Sequence, residues 1–287
     1  MDTINLPWNH YIPHKPTSKQ LAFLLLNTPE ALFGGAAGGG KSDALLMAAL
    51  QYVDVPGYAA LLLRRSYTDL ALPGALMDRA KSWLLPQDAT WKEAAKTWTF
   101  PSGATLSFGY LEHGGDEYRY QSTEFQFIAF DELTQFEESA YRYLFSRLRR
   151  TASVDVPLRM RAASNPGGIG HEWVRSRFID SGPDDEGRFF VPARLPDNPH
   201  LDQDAYLASL EQLDPVTRQQ LLHGDWSARV PGNLFRREWF GVADELPVFV
   251  NRSVRYWDLA ATPKRAGADP DYTAGVRIDH ANDGLFY

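Results

Sequence analysis

The sequence predicts an α/β fold in which a mainly parallel sheet is covered by helices on both faces. Three observations predict it. Short apolar runs of strand length alternate with segments of helical period. A glycine-rich stretch at 34–40 joins one such run directly to a helix. Two later runs end in polar residues, Asp131-Glu132 and Ser164-Asn165-Pro166. An open parallel sheet carries its site at the C-terminal ends of its strands, which is where these residues fall.

In chain order, Pro13, Pro16 and Thr17 read as an arm entering a helix over 18–26, with Ser18 as its N-cap. Ala31-Leu32-Phe33 is a short strand leading into the glycines. Over 42–52 the apolar residues Ala44, Leu45, Ala48, Ala49 and Tyr52 recur at helical spacing. A buried strand over 58–63 ends at Arg64-Arg65, and a helix over 67–85 follows. Residues 91–110 alternate around Pro101-Ser102-Gly103, which predicts a hairpin. Two more buried strands are expected over 125–130 and 159–163. A helical pattern from 202 to 223 breaks at Gly224, Pro231 and Gly232. Strands over 253–258 and 273–278 begin a second sheet that the chain does not finish.

At 287 residues there is room for one large α/β domain with a small appendage, or for two small domains. A composition 44% hydrophobic and 23% charged excludes a largely disordered chain. No apolar run reaches membrane-spanning length, and Met1-Asp2-Thr3-Ile4-Asn5 lacks the start of a signal peptide, so a cytosolic protein is expected, neither secreted nor membrane-bound. The absence of cysteine excludes disulfides, thiolate metal sites and cysteine nucleophiles. A net charge of −7 excludes a protein that coats nucleic acid through its overall field. A local patch remains open, because Arg142, Arg147, Arg149, Arg150, Arg159 and Arg161 are accompanied only by Asp155. The same run also reads as a solvated helix face plus a strand edge.

Gly35-Ala36-Ala37-Gly38-Gly39-Gly40-Lys41-Ser42 fits the phosphate-binding loop pattern of Gly, four residues, then Gly-Lys-Ser or Thr. Glycines let backbone N–H groups turn toward phosphates, and the helix that follows presents its N-terminal dipole to the same anions. Lys41 is expected on the β- and γ-phosphates of ATP and Ser42 on Mg2+. Downstream, Phe127-Ile128-Ala129-Phe130 ends in Asp131, which suits the metal's hydration shell, and Glu132, which suits polarisation of the attacking water. Ser164-Asn165, at the end of the next strand, is placed to sense the γ-phosphate, although Asn-Pro is also a common turn. Gln20 offers an amide for a bidentate contact with adenine; unaided, a lone glutamine reads as surface decoration. Together these predict a P-loop NTPase of RecA/ASCE-like type that hydrolyses ATP with Mg2+.

At these motifs the sequence resembles the large terminase subunit of tailed bacteriophages, the motor that packages double-stranded DNA into procapsids. The likeness covers nearly the whole chain. It includes Gln20, Leu62-Leu63-Arg64, Phe130-Asp131-Glu132, the coupling motif Ser164-Asn165-Pro166, and Leu222-His223-Gly224-Asp225-Trp226 followed by Gly232-Asn233-Leu234-Phe235. The resemblance implies double-stranded DNA as partner, a homo-oligomeric ring on the procapsid portal, a small terminase subunit and action in the host cytoplasm. Many terminases carry an arginine inside the P-loop, where this chain has Ala36 and Ala37. The resemblance then implies an arginine supplied by a neighbouring subunit, Arg149 or Arg147, with Arg149 favoured.

The family's nuclease is ribonuclease H-like and binds two metals through several carboxylates. Tyr256-Trp257-Asp258 and Asp271-Tyr272-Thr273 resemble its opening strands, with Asp258 as first ligand. More carboxylates are needed than this stretch offers, so DNA cleavage is not expected. The expected domains are a P-loop ATPase over 1–232, with a helical lid or linker over about 200–232, and over 233–287 a linker and the incomplete first part of a truncated ribonuclease H-like domain. Two other readings stay open: a helicase-like P-loop enzyme, for which no second RecA-like domain has room, and a nucleotide-dependent assembly module with little turnover.

Overall fold

The computed structural model describes residues 9–150, 154–181, 187–228, 240, 241, 243, 249–259 and 273–287. The stretches Gly232-Asn233-Leu234-Phe235 and Asp271-Tyr272 lie outside them. The chain divides into two units, Met1–Ala228 and Arg229–Tyr287.

In the first unit, α1 (Ser18–Leu24), β1 (Glu30–Gly35), α2 (Lys41–Leu50), β2 (Ala59–Arg64), α3 (Tyr67–Ala71) and α4 (Leu76–Leu84) come first. A meander of β3 (Thr90–Lys92), β4 (Thr97–Thr99) and β5 (Thr105–Tyr110) follows. Then come β6 (Phe127–Asp131), α5 (Glu138–Phe145), β7 (Arg159–Ser164), α6 (His171–Arg175), β8 (Arg188–Ala193), α7 (Gln203–Leu210) and α8 (Pro215–Arg218). The sheet order is β3-β4-β5-β2-β6-β7-β1-β8. From β5 to β8 all neighbours run parallel, and β3 and β4 add an antiparallel edge.

Because successive strand residues face opposite sides, each central strand feeds two cores. Ala31 and Phe33, Ala60 and Leu62, Phe127 and Ala129 enter the core beneath α1, α2 and α4. Leu32, Leu61 and Leu63, Ile128 and Phe130 enter the core beneath α5 and α6. Both faces are therefore apolar, as a buried parallel sheet requires, and β6 is buried along its whole length.

The structure corrects several expectations. Thr17, not Ser18, caps α1: its hydroxyl accepts from the N–H of Gln20, while the Gln20 side chain accepts from the N–H of Thr17, a closed capping box. The helix expected over 67–85 is two, because Leu72 is extended (φ −58°, ψ 153°) ahead of Pro73, where proline disfavours a helical predecessor. The helix expected over 202–223 breaks before Pro215, where Asp214 caps α8 by accepting from Val216 and Thr217. A π turn over Gln219–His223 then ends at Gly224.

Two of the six clustered arginines leave the patch. Arg159 and Arg161 lie on β7 and are buried. Arg161 donates to the carbonyls of Leu26, Thr28 and Met160, and burial, with Arg159 beside it, lowers its pKa to about 9. Arg159 donates to Gln51 Oε1.

In the second unit, β9 (Val250–Asp258) and β10 (Ala274–Ala281) pair antiparallel, with Asp258 opposite Ala274. Asp258 is exposed at the end of β9. Among the described residues no group of three or more histidines and acids is gathered to hold a metal, and no helix is long and apolar enough to cross a membrane.

Candidate active site

β1 delivers its chain straight into the glycine loop, and the loop ends on α2. Gly35 (φ 130°), Gly38 (φ 73°) and Gly40 (φ 72°) all take backbone conformations that L side chains rarely adopt. At Gly35 a Cβ would lie 2.4 Å from the carbonyl oxygen of Ala193, so the close approach of β8 also requires glycine. Lys41, the first residue of α2, is buried and donates from Nζ to the Ala36 carbonyl at 2.6 Å. Burial lowers its pKa to about 8, with Glu132 and Asp131 pulling the other way. At neutral pH it remains an ammonium.

β7 runs between β1 and β6, so the ends of these three strands carry the glycine loop, Ser164-Asn165 and Asp131-Glu132 side by side. Ser42 Oγ donates to Asp131 Oδ1 at 3.2 Å. Arg64, at the end of β2, places Nη1 3.1 Å from Asp131 Oδ2 and 3.8 Å from Glu132 Oε1. Burial raises the pKa of both acids, and for Glu132 the charge of Asp131 adds to the effect. Glu132 adopts φ 56°, an uncommon conformation for a residue with a side chain and one that concentrates at functional sites.

Ser164 and Asn165 are tied to the same corner. Ser164 Oγ accepts from the N–H of Thr134 at 3.2 Å and lies 2.9 Å from its hydroxyl, two residues after Glu132. The backbone of Asn165 works to lower the Glu132 pKa, against the larger effects of burial and Asp131, while Asn165 Oδ1 is buried without a hydrogen-bond partner among the described residues. Gln20, Lys41, Ser42, Glu132 and Asn165 all line one cleft of about 710 Å³. In that cleft the Gln20 amide is occupied: Oε1 accepts from Thr17 and Nε2 donates to the Gly40 carbonyl at 2.8 Å. Oε1 keeps a second lone pair and Nε2 a second N–H beyond those two bonds.

Arg147 and Arg149 lie elsewhere. Their backbone pairs with Phe125, just before β6 begins, so they sit at the opposite end of that strand from Glu132. Arg149 lies 3.6 Å from Glu124, and Arg147 stacks over the Tyr143 ring.

Three contacts escaped the sequence. Arg64 reads in the sequence as a basic residue after a buried strand and as part of the Leu62-Leu63-Arg64 resemblance, with no partner assigned. Arg79 lies on α4, remote in sequence from every motif, yet it lines the cleft. Asn198 donates to the Gly38 carbonyl at 2.6 Å, one of several contacts by which residues 195–226 rest on the glycine loop. Of these, the N–H of Ala37 donates to Leu221 at 2.8 Å. Gly224 (φ 64°) approaches so closely that a Cβ would stand 2.5 Å from the Ala36 nitrogen. Gly224→Ala is therefore expected to lift this segment from the loop, lowering stability by about 2 kcal/mol. Denaturant titration checks it; an unchanged midpoint contradicts the close docking.

A parallel sheet with a glycine loop between a strand and a helix, and a Lys-Ser pair facing an Asp-Glu strand end, defines a P-loop fold. A family model described as terminase large subunit, T4likevirus-type, N-terminal, matches residues 32–242. The chain belongs to that family. Solved structures agree on the fold. The large terminase of a thermophilic bacteriophage, in complex with ADP, superposes with a TM-score of 0.60 at 17% identity, covering 95% of this chain and 67% of that one. The HK97 bacteriophage large terminase gives 0.58 at 16%, covering 96% and 62%. The Thermus phage P74-26 large terminase ATPase domain gives 0.50 at 12%, covering 75% and 96%. This chain thus spans about two thirds of the thermophilic phage protein and less of the HK97 protein. No curated protein sequence matches it.

Proposed function

We propose that this chain binds and hydrolyses ATP as the motor part of a large terminase subunit, driving double-stranded DNA into procapsids. The observation that carries the reading is the meeting of Lys41, Ser42, Asp131, Glu132 and Asn165 at three adjacent strand ends. Membership of the terminase large-subunit family supports it.

The loop N–H groups and Lys41 hold the phosphates. An all-oxygen pair, the Ser42 hydroxyl and the Asp131 carboxylate, fits Mg2+, which when bound supplies positive charge to the phosphate oxygens. Glu132, its pKa raised by burial and by the charge of Asp131, accepts a proton from the attacking water. Asn165, which lines the cleft with Glu132, carries an amide oxygen without a hydrogen-bond partner among the described residues, in a cleft whose contents change on hydrolysis. Ser164 passes that change to Thr134. Arg149 or Arg147, lying away from its own chain's cleft, serves a neighbouring subunit in a ring assembled on the portal with a small terminase subunit, in the host cytoplasm. In the second unit, the paired strands β9 and β10, with Asp258 at the end of β9, belong to a ribonuclease H-like domain.

Lys41 sets the pH response. Its proton leaves near pH 8, below the usual lysine value of 10.5, and phosphates bind the protonated form. Nucleotide affinity is expected to be flat below pH 7 and to fall above pH 8, whereas Lys41→Arg flattens the profile; fluorescent-nucleotide titration across that range checks it.

The motor reading is tested by steady-state ATP hydrolysis with and without linear double-stranded DNA. Turnover that rises with DNA supports coupling within these residues. Turnover indifferent to DNA leaves an ATPase and removes the coupling from this part of the protein.

A further inference from the structure

Among the described residues of the cleft, Arg79 is a cation that phosphate binding and hydrolysis, as read above, do not use. Arg79, on α4, lines the cleft beside Lys41 and is held by Asp43. Its Nη2 donates to the Gly74 carbonyl at 3.1 Å, and its Nε is buried with no hydrogen-bond partner among the described residues. Asp43 follows Ser42 in the first turn of α2. A free carboxylate there opposes phosphate binding, because it sits where the helix dipole and the loop N–H groups attract anions. Two groups face it: Arg79, and His14, whose Nε2 lies 3.5 Å from Asp43 Oδ2.

We propose that Arg79 is a nucleotide ligand, donating from its guanidinium to the phosphates nearest the nucleoside while it neutralises Asp43. This rests on the ATP-binding reading. The position follows from the helix. Ser42 points to Asp131, and one residue on, turned by about 100°, Asp43 points away from it. It points instead toward the arm carrying His14, Thr17 and Gln20. Glu132 and Asn165 mark the hydrolytic end, so Arg79 meets phosphates that ATP and ADP share. A guanidinium carries five donors in a planar fork and keeps one for Asp43 while presenting others to phosphate oxygens.

An interaction common to substrate and product alters binding more than turnover. The test is equilibrium binding of fluorescent ADP and of ATPγS to the wild-type chain and to Arg79→Ala, Arg79→Lys, Asp43→Asn, Lys41→Ala and the Asp43→Asn/Arg79→Ala double variant. Arg79→Ala is expected to weaken both ligands equally, by about 10- to 100-fold, the worth of a charged hydrogen bond, with Arg79→Lys in between. Asp43→Asn is expected to tighten both, and Arg79→Ala is expected still to weaken both in the Asp43→Asn background, where no carboxylate remains to be neutralised. A purely structural Arg79, steadying the turn at Gly74, moves the unfolding midpoint without that loss of affinity. Full affinity in Arg79→Ala, alongside lost affinity in Lys41→Ala, overturns the inference and leaves the ATP reading intact. A wild-type chain that binds neither ligand overturns both.

Discussion

Glu132→Gln is expected to lower kcat for ATP by at least about 100-fold while leaving nucleotide affinity within a few-fold of wild type. General-base assistance contributes about 10²–10⁴ in rate, and an amide of the same shape cannot accept the proton. The side chain keeps its size and shape, so the local geometry is expected to persist. The same substitution removes one of two neighbouring negative charges, on buried Asp131 and half-buried Glu132, so the nucleotide-free variant is expected to be more stable than wild type. Phosphate release and nucleotide titration on one preparation check the rate and affinity, and denaturant unfolding checks the stability. A variant that retains its rate removes Glu132 from the chemistry.

Arg64→Ala carries the second large effect, through stability. Arg64 is a cation beside buried Asp131, at 3.1 Å, and half-buried Glu132, at 3.8 Å. Removing one partner from a buried ion pair costs about 3–5 kcal/mol. Both acids already have pKa values raised by burial, and losing Arg64 raises them further. Between the unfolded carboxylate value of about 4 and those raised values, the folded state binds more protons than the unfolded state. Stability therefore falls as pH rises through that window. The variant's deficit is expected to be largest at pH 8 and to shrink toward pH 5, where protonation relieves the acids. Denaturant unfolding of nucleotide-free protein at both pH values tests this. A deficit independent of pH contradicts it, as does failure of Asp131→Asn to restore stability in the Arg64→Ala background.

What could be read from the sequence was local. The glycine loop, the strand ending in Asp131-Glu132 and the alternation of strands and helices depend on spacing within a few residues, and the structure has them in that order. β8 was not anticipated: it is an edge strand containing Pro192, and its burial is partial, so neither a clean alternation nor a continuous apolar run marks it. The helix breaks at Pro73 and Pro215 carried their signal, but apolar periodicity on both sides masked it. The capping box of Thr17 and Gln20 was legible in Thr-x-x-Gln and shows why Gln20 is buried rather than decorative.

Other features depend on neighbours distant in the chain. Arg159 and Arg161 read as surface charge, yet carbonyls and rings at the foot of the sheet enclose them. Arg64 and Arg79 gain their partners only when β2 and α4 bring them to acids carried by β6 and α2. The docking of Leu221 and Gly224 on the loop joins segments almost 190 residues apart, beyond the reach of any periodicity.

The central claim, that this cleft is an ATPase site, is tested most directly by phosphate release from ATP by the wild-type chain, with Mg2+ and with the metal chelated. The account predicts turnover that requires Mg2+ and disappears in Lys41→Ala. A chain that binds no nucleotide, or turnover that survives both chelation and the loss of Lys41, contradicts it.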